Sequence, residues 1–257
     1  MTDAKLPTDR TAIVTGAGSR RGIGRATAAR LADQGWSVAV LDLSVDGAEA
    51  TADEVARGRG VAAIGVGVDI AEQASVNAAI AEVERLLPPV AGLVNLAGIS
   101  SPTDFMDVTA EEWDRVVNVN LRGTFLVTQR ALGGMLERGF GRIVCVSSIS
   151  AQRGGGTYSK VAYSAAKAGI IGFTRALARE VGPHGVTVNC VAPGPVDTDI
   201  MGGTLSDERK KQMAEGAMVG RVGQPEEIAA LITFLMGPDA GYITAATYDI
   251  NGGLQVS

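Results

Sequence analysis

Seven short runs of aliphatic and β-branched residues alternate with longer stretches of helical period, and this alternation restricts the fold more than any other feature. The runs are TAIVT (Thr11–Thr15), SVAVLDL (Ser37–Leu43), VAAIGVGV (Val61–Val68), AGLVNLAG (Ala91–Gly98), GRIVCVSS (Gly141–Ser148), GVTVNCVAPG (Gly185–Gly194) and TYDINGG (Thr247–Gly253). They show little polar alternation, as strands buried on both faces do, so the sheet they form should be parallel. Amphipathic segments near Ile23–Gln34, Gly47–Arg57, Glu72–Leu87, Glu111–Arg138, Val161–Val181 and Pro225–Met236 supply the crossovers. The alternation predicts an α/β fold, a doubly wound parallel sheet of about seven strands with helices on both faces. With no repeat or linker along its 257 residues, the chain reads as one domain, 1–257.

Composition removes several classes of function. The net charge of −5 repels phosphate backbones and anionic membranes, so nucleic acid is not an expected partner. The longest uncharged stretch, Leu86–Thr103, is broken by Pro88, Pro89, Asn95 and Pro102, so no membrane span is expected. MTDAKLPTDR at the N-terminus lacks an apolar h-region, so no secretory leader is expected. Cys145 and Cys190 stand far apart without a CxxC, as thiols of a reducing compartment do, and the expected location is the cytoplasm. A single histidine, His184, disfavours zinc sites and Ser-His-Asp triads, and no metal is expected. The chain has no GxSxG and no GxxxxGK[ST], so hydrolase and P-loop readings fall away.

Two constellations carry chemistry. The first strand runs into TGAGSRRGIG (Thr15–Gly24) and directly into a helix near Ile23. Glycines at Gly16, Gly22 and Gly24 let the backbone turn and approach a pyrophosphate, which the N–H groups and dipole of the helix start stabilise. Asp42, 18 residues after Gly24 at the end of the second strand, is placed to accept hydrogen bonds from adenosine ribose hydroxyls. The second constellation is Tyr163 and Lys167 in YSAAK, the chain's one YxxxK. At i and i+4 the phenol and ammonium share a helix face. Ser147-Ser148 closes the fifth strand, where a parallel sheet delivers side chains to a crevice.

Together these motifs resemble the short-chain dehydrogenase/reductase family, in its single-domain branch near 250 residues, over about Thr11–Gly253. The resemblance implies a Rossmann fold. TGAGSRRGIG is similar to the family's cofactor loop, Val68-Asp69-Ile70 to its adenine contact, and Asn95-Leu96-Ala97-Gly98 to its strand-four turn. Asn120 matches its helical asparagine, with Asn118 as the competing choice, and Pro193-Gly194-Pro195-Val196-Asp197-Thr198 matches its nicotinamide-side turn. By resemblance the catalytic residues are Asn120, Ser148, Tyr163 and Lys167. The cofactor set is Gly16, Arg21, Gly22, Ile23, Gly24, Asp42, Leu43, Asp69, Ile70, Asn95, Ala97, Gly98, Tyr163, Lys167, Pro193, Gly194, Val196 and Thr198. Three departures stand out. Five residues separate Gly16 from Gly22 where three are usual, so Arg20-Arg21 should bulge outward. Leu96 replaces a second asparagine, and Ala245 stands in Ile243-Thr244-Ala245 where glycine is common.

The resemblance implies an NAD-dependent oxidoreductase that interconverts a secondary alcohol and its ketone. A phenol with a pKa of ~10 is only ~0.1% ionised near neutrality, so Lys167 and oxidised nicotinamide are expected to supply the charge that lets Tyr163 act as general acid and base. Ser148 would hold the substrate oxygen, and Asn120 a relay water near Lys167. Ser100, Ser150, Gln152, Arg153, Ser159, Pro195 and Met201 are the expected substrate residues, with the polar segment 199–223 as a substrate flap. The partner is a small-molecule alcohol or ketone, and the expected assembly is a homotetramer. NADP is the less expected cofactor, because Asp42 would face its extra phosphate. Two alternatives stand beside this reading: an NADPH-dependent 3-oxoacyl reductase, disfavoured by the absence of arginine at Gly139 and His184, and a non-catalytic dinucleotide-binding sensor or scaffold.

Overall fold

The computed structural model describes residues 6–156, 158–200, 203 and 205–256. The seven runs form strands β1 (Thr11–Thr15), β2 (Ser37–Asp42), β3 (Ala63–Gly67), β4 (Val90–Asn95), β5 (Gly141–Val146), β6 (Val186–Pro193) and β7 (Thr247–Ile250). They pair into one sheet in the order β3-β2-β1-β4-β5-β6-β7, parallel throughout. The central strands β1, β4, β5 and β6 are buried along their whole length, and the edge strands β3 and β7 are largely half-buried. This gradient explains why the runs lack polar alternation, since both faces of a central strand meet apolar helices.

Successive side chains enter opposite layers. Ile13, Leu93, Ile143 and Val188 pack in one apolar cluster, whereas Ala12, Val14, Val94, Val144 and Val191 pack in the other. The first cluster is closed by α3 (Gln73–Leu86), α5 (Gly123–Arg138) and α7 (Val161–Val181), and the second by α1 (Ile23–Asp33), α2 (Val45–Ala56) and α9 (Pro225–Met236). Strand order reverses between β1 and β4, and ligands of open parallel sheets bind at the carboxyl end of such a switch.

Three differences from the sequence expectation matter for the site. The expected helix 111–138 is two helices, α4 (Ala110–Val117) and α5, joined by a π-helical turn, Asn118–Arg122. The aliphatic runs overshoot the strands, which stop at Asp42, Gly67, Asn95, Val146, Pro193 and Ile250. The overshoot is the set of loops at the carboxyl edge. A short helix α6 (Ser150–Arg153) follows β5, and the segment 199–223 carries α8 (Asp207–Met213), capped by the Ser206 hydroxyl accepting from Arg209 N–H.

Candidate active site and cofactor cleft

The loop after β1 is shaped by close backbone approach. Gly16 has φ +68°, and a Cβ there would lie 2.7 Å from the Ala97 Cα. A Cβ on Gly24 would lie 2.5 Å from the Gly16 carbonyl oxygen. Thr15 Oγ1 accepts from the N–H groups of Leu96 and Ala97, both at 3.1 Å, so the β1 and β4 loops are fastened to each other. α1 begins at Ile23 with no side-chain cap and no acidic residue in its first turn. Its amino end therefore keeps the unopposed partial positive charge that suits a phosphate. These features fit a dinucleotide: the cradle is one that a Cβ would fill, and the first turn of α1 carries no acidic side chain of its own.

Asp42 sits beside this loop. Its Oδ2 accepts from Gly18 N–H at 2.8 Å and its Oδ1 from Ser44 N–H at 3.0 Å. Leu43 beside it is 75% exposed, placed as a surface against which a flat base could lie. Asp69 is exposed, with Oδ1 accepting from Ala71 N–H at 2.9 Å. Ile70 is buried, its side chain against α5 at Gly123. Asn95 is turned inward, donating to Thr128 Oγ1 at 2.9 Å, and ties β4 to α5. Of the two arginines expected to bulge outward, Arg20 is exposed, but Arg21 is half-buried and donates to Asp197 Oδ1 at 2.6 Å. The carboxylates of the turn after β6 draw it in.

Three of the four catalytic candidates, Ser148, Tyr163 and Lys167, meet at a cavity of about 400 Å³, and Asn120 is buried outside its lining. Its walls include Gly98, Ser148, Tyr163, Lys167, Pro193, Gly194, Val196 and Thr198, with Ile23 at the end of the cofactor loop. Lys167 is buried, and its ammonium donates to the Val146 carbonyl at 2.9 Å and lies 5.7 Å from the Tyr163 ring centroid. Burial lowers its pKa to about 8. Burial raises the Tyr163 phenol above its ordinary value, partly opposed by its hydrogen bond with Ser148. Ser148 Oγ also accepts from Ser150 N–H at 3.1 Å, which fixes the hydroxyl.

Asn120 lies in the π-helical turn, fully buried. Its Nδ2 donates to the carbonyls of Ile99 (3.0 Å) and Val116 (2.9 Å), which holds the amide orientation. Its Oδ1 has no hydrogen-bond partner. A Cβ on Gly98 would fall 2.5 Å from that oxygen and 3.4 Å from Lys167 Nζ. Gly98 thus keeps open the space that the amide oxygen and the ammonium share. Asn118 is the residue whose carbonyl accepts the N–H of Gly123, closing the wide turn.

Of the expected substrate residues, Ser100, Ser150, Arg153, Ser159 and Pro195 line the cavity. The Ser150 and Ser159 hydroxyls bond each other at 2.7 Å. Gln152 is not brought there, because its amide donates to Asp249 Oδ1 on β7 at 2.6 Å. Met201 lies outside the described residues. Sequence reasoning missed Tyr158, Gln212, Met213, Glu215 and Leu254 on the cavity wall. Only the position of Gln212, Met213 and Glu215 within 199–223 signalled them, and Leu254 carried no signal. Among the described residues no group of His, Cys, Asp or Glu could hold a metal ion, and no helix is long and apolar enough to cross a membrane.

A glycine cradle at the switch point of a parallel sheet, with Ser148 just past the end of β5 and Tyr163 and Lys167 one turn apart on α7, defines a nucleotide-dependent oxidoreductase of the Rossmann type. Comparison narrows the class: residues 16–255 match the family model described as enoyl-(acyl carrier protein) reductase. The chain is 43% identical to a 3-oxoacyl-[acyl-carrier-protein] reductase of Aquifex aeolicus, covering 92% of this chain and 94% of that protein. It is 41% identical to an uncharacterized short-chain type dehydrogenase/reductase of Sinorhizobium fredii, covering 96% and 98%. The crystal structure of levodione reductase superposes with a TM-score of 0.88 at 33% identity, covering 96% of this chain and 98% of that one. The chain belongs to the short-chain dehydrogenase/reductase family, oxidoreductases that use NAD or NADP.

Proposed function

We propose that the protein is an NAD-dependent oxidoreductase that interconverts a secondary alcohol and its ketone, with Tyr163 as general acid and base. The observation that carries this reading is the meeting of the Ser148 hydroxyl, the Tyr163 phenol and the Lys167 ammonium in one cavity beside the glycine loop. Bound nicotinamide would accept or donate the hydride. Ser148 holds the substrate oxygen against the phenol. Tyr163 takes the hydroxyl proton in oxidation and returns it in reduction. Lys167 stays protonated below about pH 8 and stabilises the phenolate, while Asn120 Oδ1 and the ammonium face the space through which the proton would leave. Gly16, Arg21, Gly22, Ile23 and Gly24 would hold the phosphates, Asp42, Leu43, Asp69 and Ile70 the adenosine half, and Ala97 and Gly98 with the 193–198 turn the nicotinamide half, while the inward-turned Asn95 fastens β4 to α5 behind them.

NAD is favoured over NADP because the Asp42 carboxylate, held beside the glycine loop by Gly18 and Ser44 N–H, would accept from a ribose hydroxyl and repel an added phosphate. A second reading, an NADPH-dependent 3-oxoacyl reductase, is supported by the Aquifex relative. The segment 199–223, whose α8 contributes Gln212 and Met213 to the cavity wall, serves as the substrate flap of a single-domain chain. Exposed Phe105, Trp113 and Phe125 on and before α4 and α5 support a homotetramer, and the free, buried Cys145 and Cys190 support a cytoplasmic location. The deciding experiment is nucleotide-dependent turnover of a ketone and alcohol panel by wild type and Tyr163→Phe. Turnover in the wild type that Tyr163→Phe retains in full would overturn the assignment.

A further inference from the structure

The densest set of charges outside the catalytic group joins two segments far apart in sequence. Asp197, 7% exposed, uses both carboxylate oxygens. Oδ1 accepts from Arg21 Nη2 at 2.6 Å and Oδ2 from Lys210 Nζ at 2.7 Å. Asp199 adds a second strand to the tie: its Oδ2 accepts from Ser19 Oγ at 3.2 Å, and its Oδ1 lies 3.7 Å from Arg21 Nε. Ser19 and Arg21 belong to the glycine loop, and Lys210 to α8. Asp197 is itself held by the backbone, where its N–H donates to the Gly223 carbonyl at 3.0 Å. It is a fixed post with a cation of the loop on one side and a cation of the 199–223 segment on the other.

We propose that Asp197 is a positioning residue that ties the glycine loop to α8, so that Asp197, Asp199 and Lys210 set the affinity of the loop for dinucleotide phosphates. This rests on the reading of the loop as the nucleotide cradle. The physical reason is preorganisation. A loop of Gly, Ser and Arg between Gly16 and Gly22 loses much freedom when it closes on a phosphate, and the tie removes part of that freedom beforehand. Two carboxylates near the phosphate path would by charge alone oppose an incoming anion. Their retention as anchors therefore makes a prediction whose sign differs from simple electrostatics. Coupling is also reciprocal: a ligand that orders the loop must steady α8 by the same free energy.

The test is calorimetric titration of wild type, Asp197→Asn and Asp199→Asn with NAD and with NADH. Anchoring raises Kd about three- to tenfold in each variant, whereas charge alone lowers it. Asp199 is the more exposed of the two, so its variant stands if Asp197→Asn fails to fold. Once Asp197 is replaced, Lys210→Met should add nothing further, and additive effects of the two substitutions would contradict the tie. NAD should slow tryptic cleavage at Arg209, Lys210 and Lys211 in wild type and slow it less in Asp197→Asn. Unchanged or tighter binding in both aspartate variants, or equal protection of wild type and Asp197→Asn, overturns the proposal while leaving the nucleotide reading intact. A wild type that binds neither NAD nor NADH overturns both.

Discussion

The Lys167 ammonium donates to the Val146 carbonyl at 2.9 Å while standing 5.7 Å from the Tyr163 ring centroid. One cation is thus fixed between the end of β5 and the Tyr163 ring. Burial raises the phenol's pKa, so on the proposed reading Tyr163 would act as a base only with the added positive charge that bound oxidised nicotinamide would supply. Replacing the phenol by Tyr163→Phe should cut kcat/KM by about 10²–10⁴-fold, the usual contribution of general acid–base catalysis. Dinucleotide Kd should stay within a few-fold, since the glycine cradle is untouched. Turnover and binding measured on the same preparation check both halves.

Lys167 makes a prediction about pH. Its pKa is lowered to about 8 from an ordinary 10.5, so the folded protein holds this proton less tightly than the unfolded chain does. The ammonium is fully present below about pH 7 and is lost as pH rises through about 8. If it serves the nicotinamide ribose and the phenol together, NAD affinity should weaken across that window. In Lys167→Ala, affinity should be low and flat with pH, by about 10-fold or more for the loss of a charged hydrogen-bond donor. Titrations from pH 6.5 to 9.5 decide it, and parallel pH profiles in the two proteins would exclude the role.

Gly24 tests the cradle. A Cβ there would meet the Gly16 carbonyl oxygen at 2.5 Å and the Ala17 Cα at 2.7 Å, backbone atoms that cannot rotate away. Gly24→Ala should therefore push α1 off the loop, destabilising the protein by about 1–3 kcal/mol as overpacking does and weakening nucleotide binding. Thermal unfolding and titration report the two effects, and a variant with unchanged Tm and Kd would show that α1 need not pack so close.

The parallel sheet was legible because strands buried on both faces must be apolar throughout, as at Ile13, Leu93 and Ile143. The YxxxK pair was legible because both residues ride one helix at fixed spacing. What lay hidden depends on contacts between distant segments. The π-helical turn at Asn118–Arg122 keeps helical residue types and so leaves no trace in periodicity. Asn95 and Gln152 carry the polar side chains a site would use, yet Thr128 and Asp249 claim them. Arg21 was expected outside the loop and is drawn in by Asp197, a residue 176 positions away.

The proposed NAD preference rests on Asp42. Its carboxylate is held beneath the loop by the N–H groups of Gly18 and Ser44 at 2.8 and 3.0 Å, so it cannot easily swing away from an added phosphate. Two like charges about 4 Å apart at an effective dielectric of 20 repel by roughly 4 kcal/mol. Halved by solvent screening, the repulsion still exceeds tenfold discrimination. The arginines of the loop do not offset it: Arg21 is engaged by Asp197 and Asp199, and an exposed guanidinium such as Arg20 is screened by solvent. The wild type should prefer NAD over NADP by at least about tenfold in kcat/KM, and Asp42→Ala should narrow the gap chiefly by improving NADP. A Gly18 N–H freed in that variant loses its acceptor, so NAD efficiency should fall as well. Steady-state kinetics with both cofactors measure this, and equal wild-type efficiency with NADP would assign the choice to Arg20 or Arg21 instead.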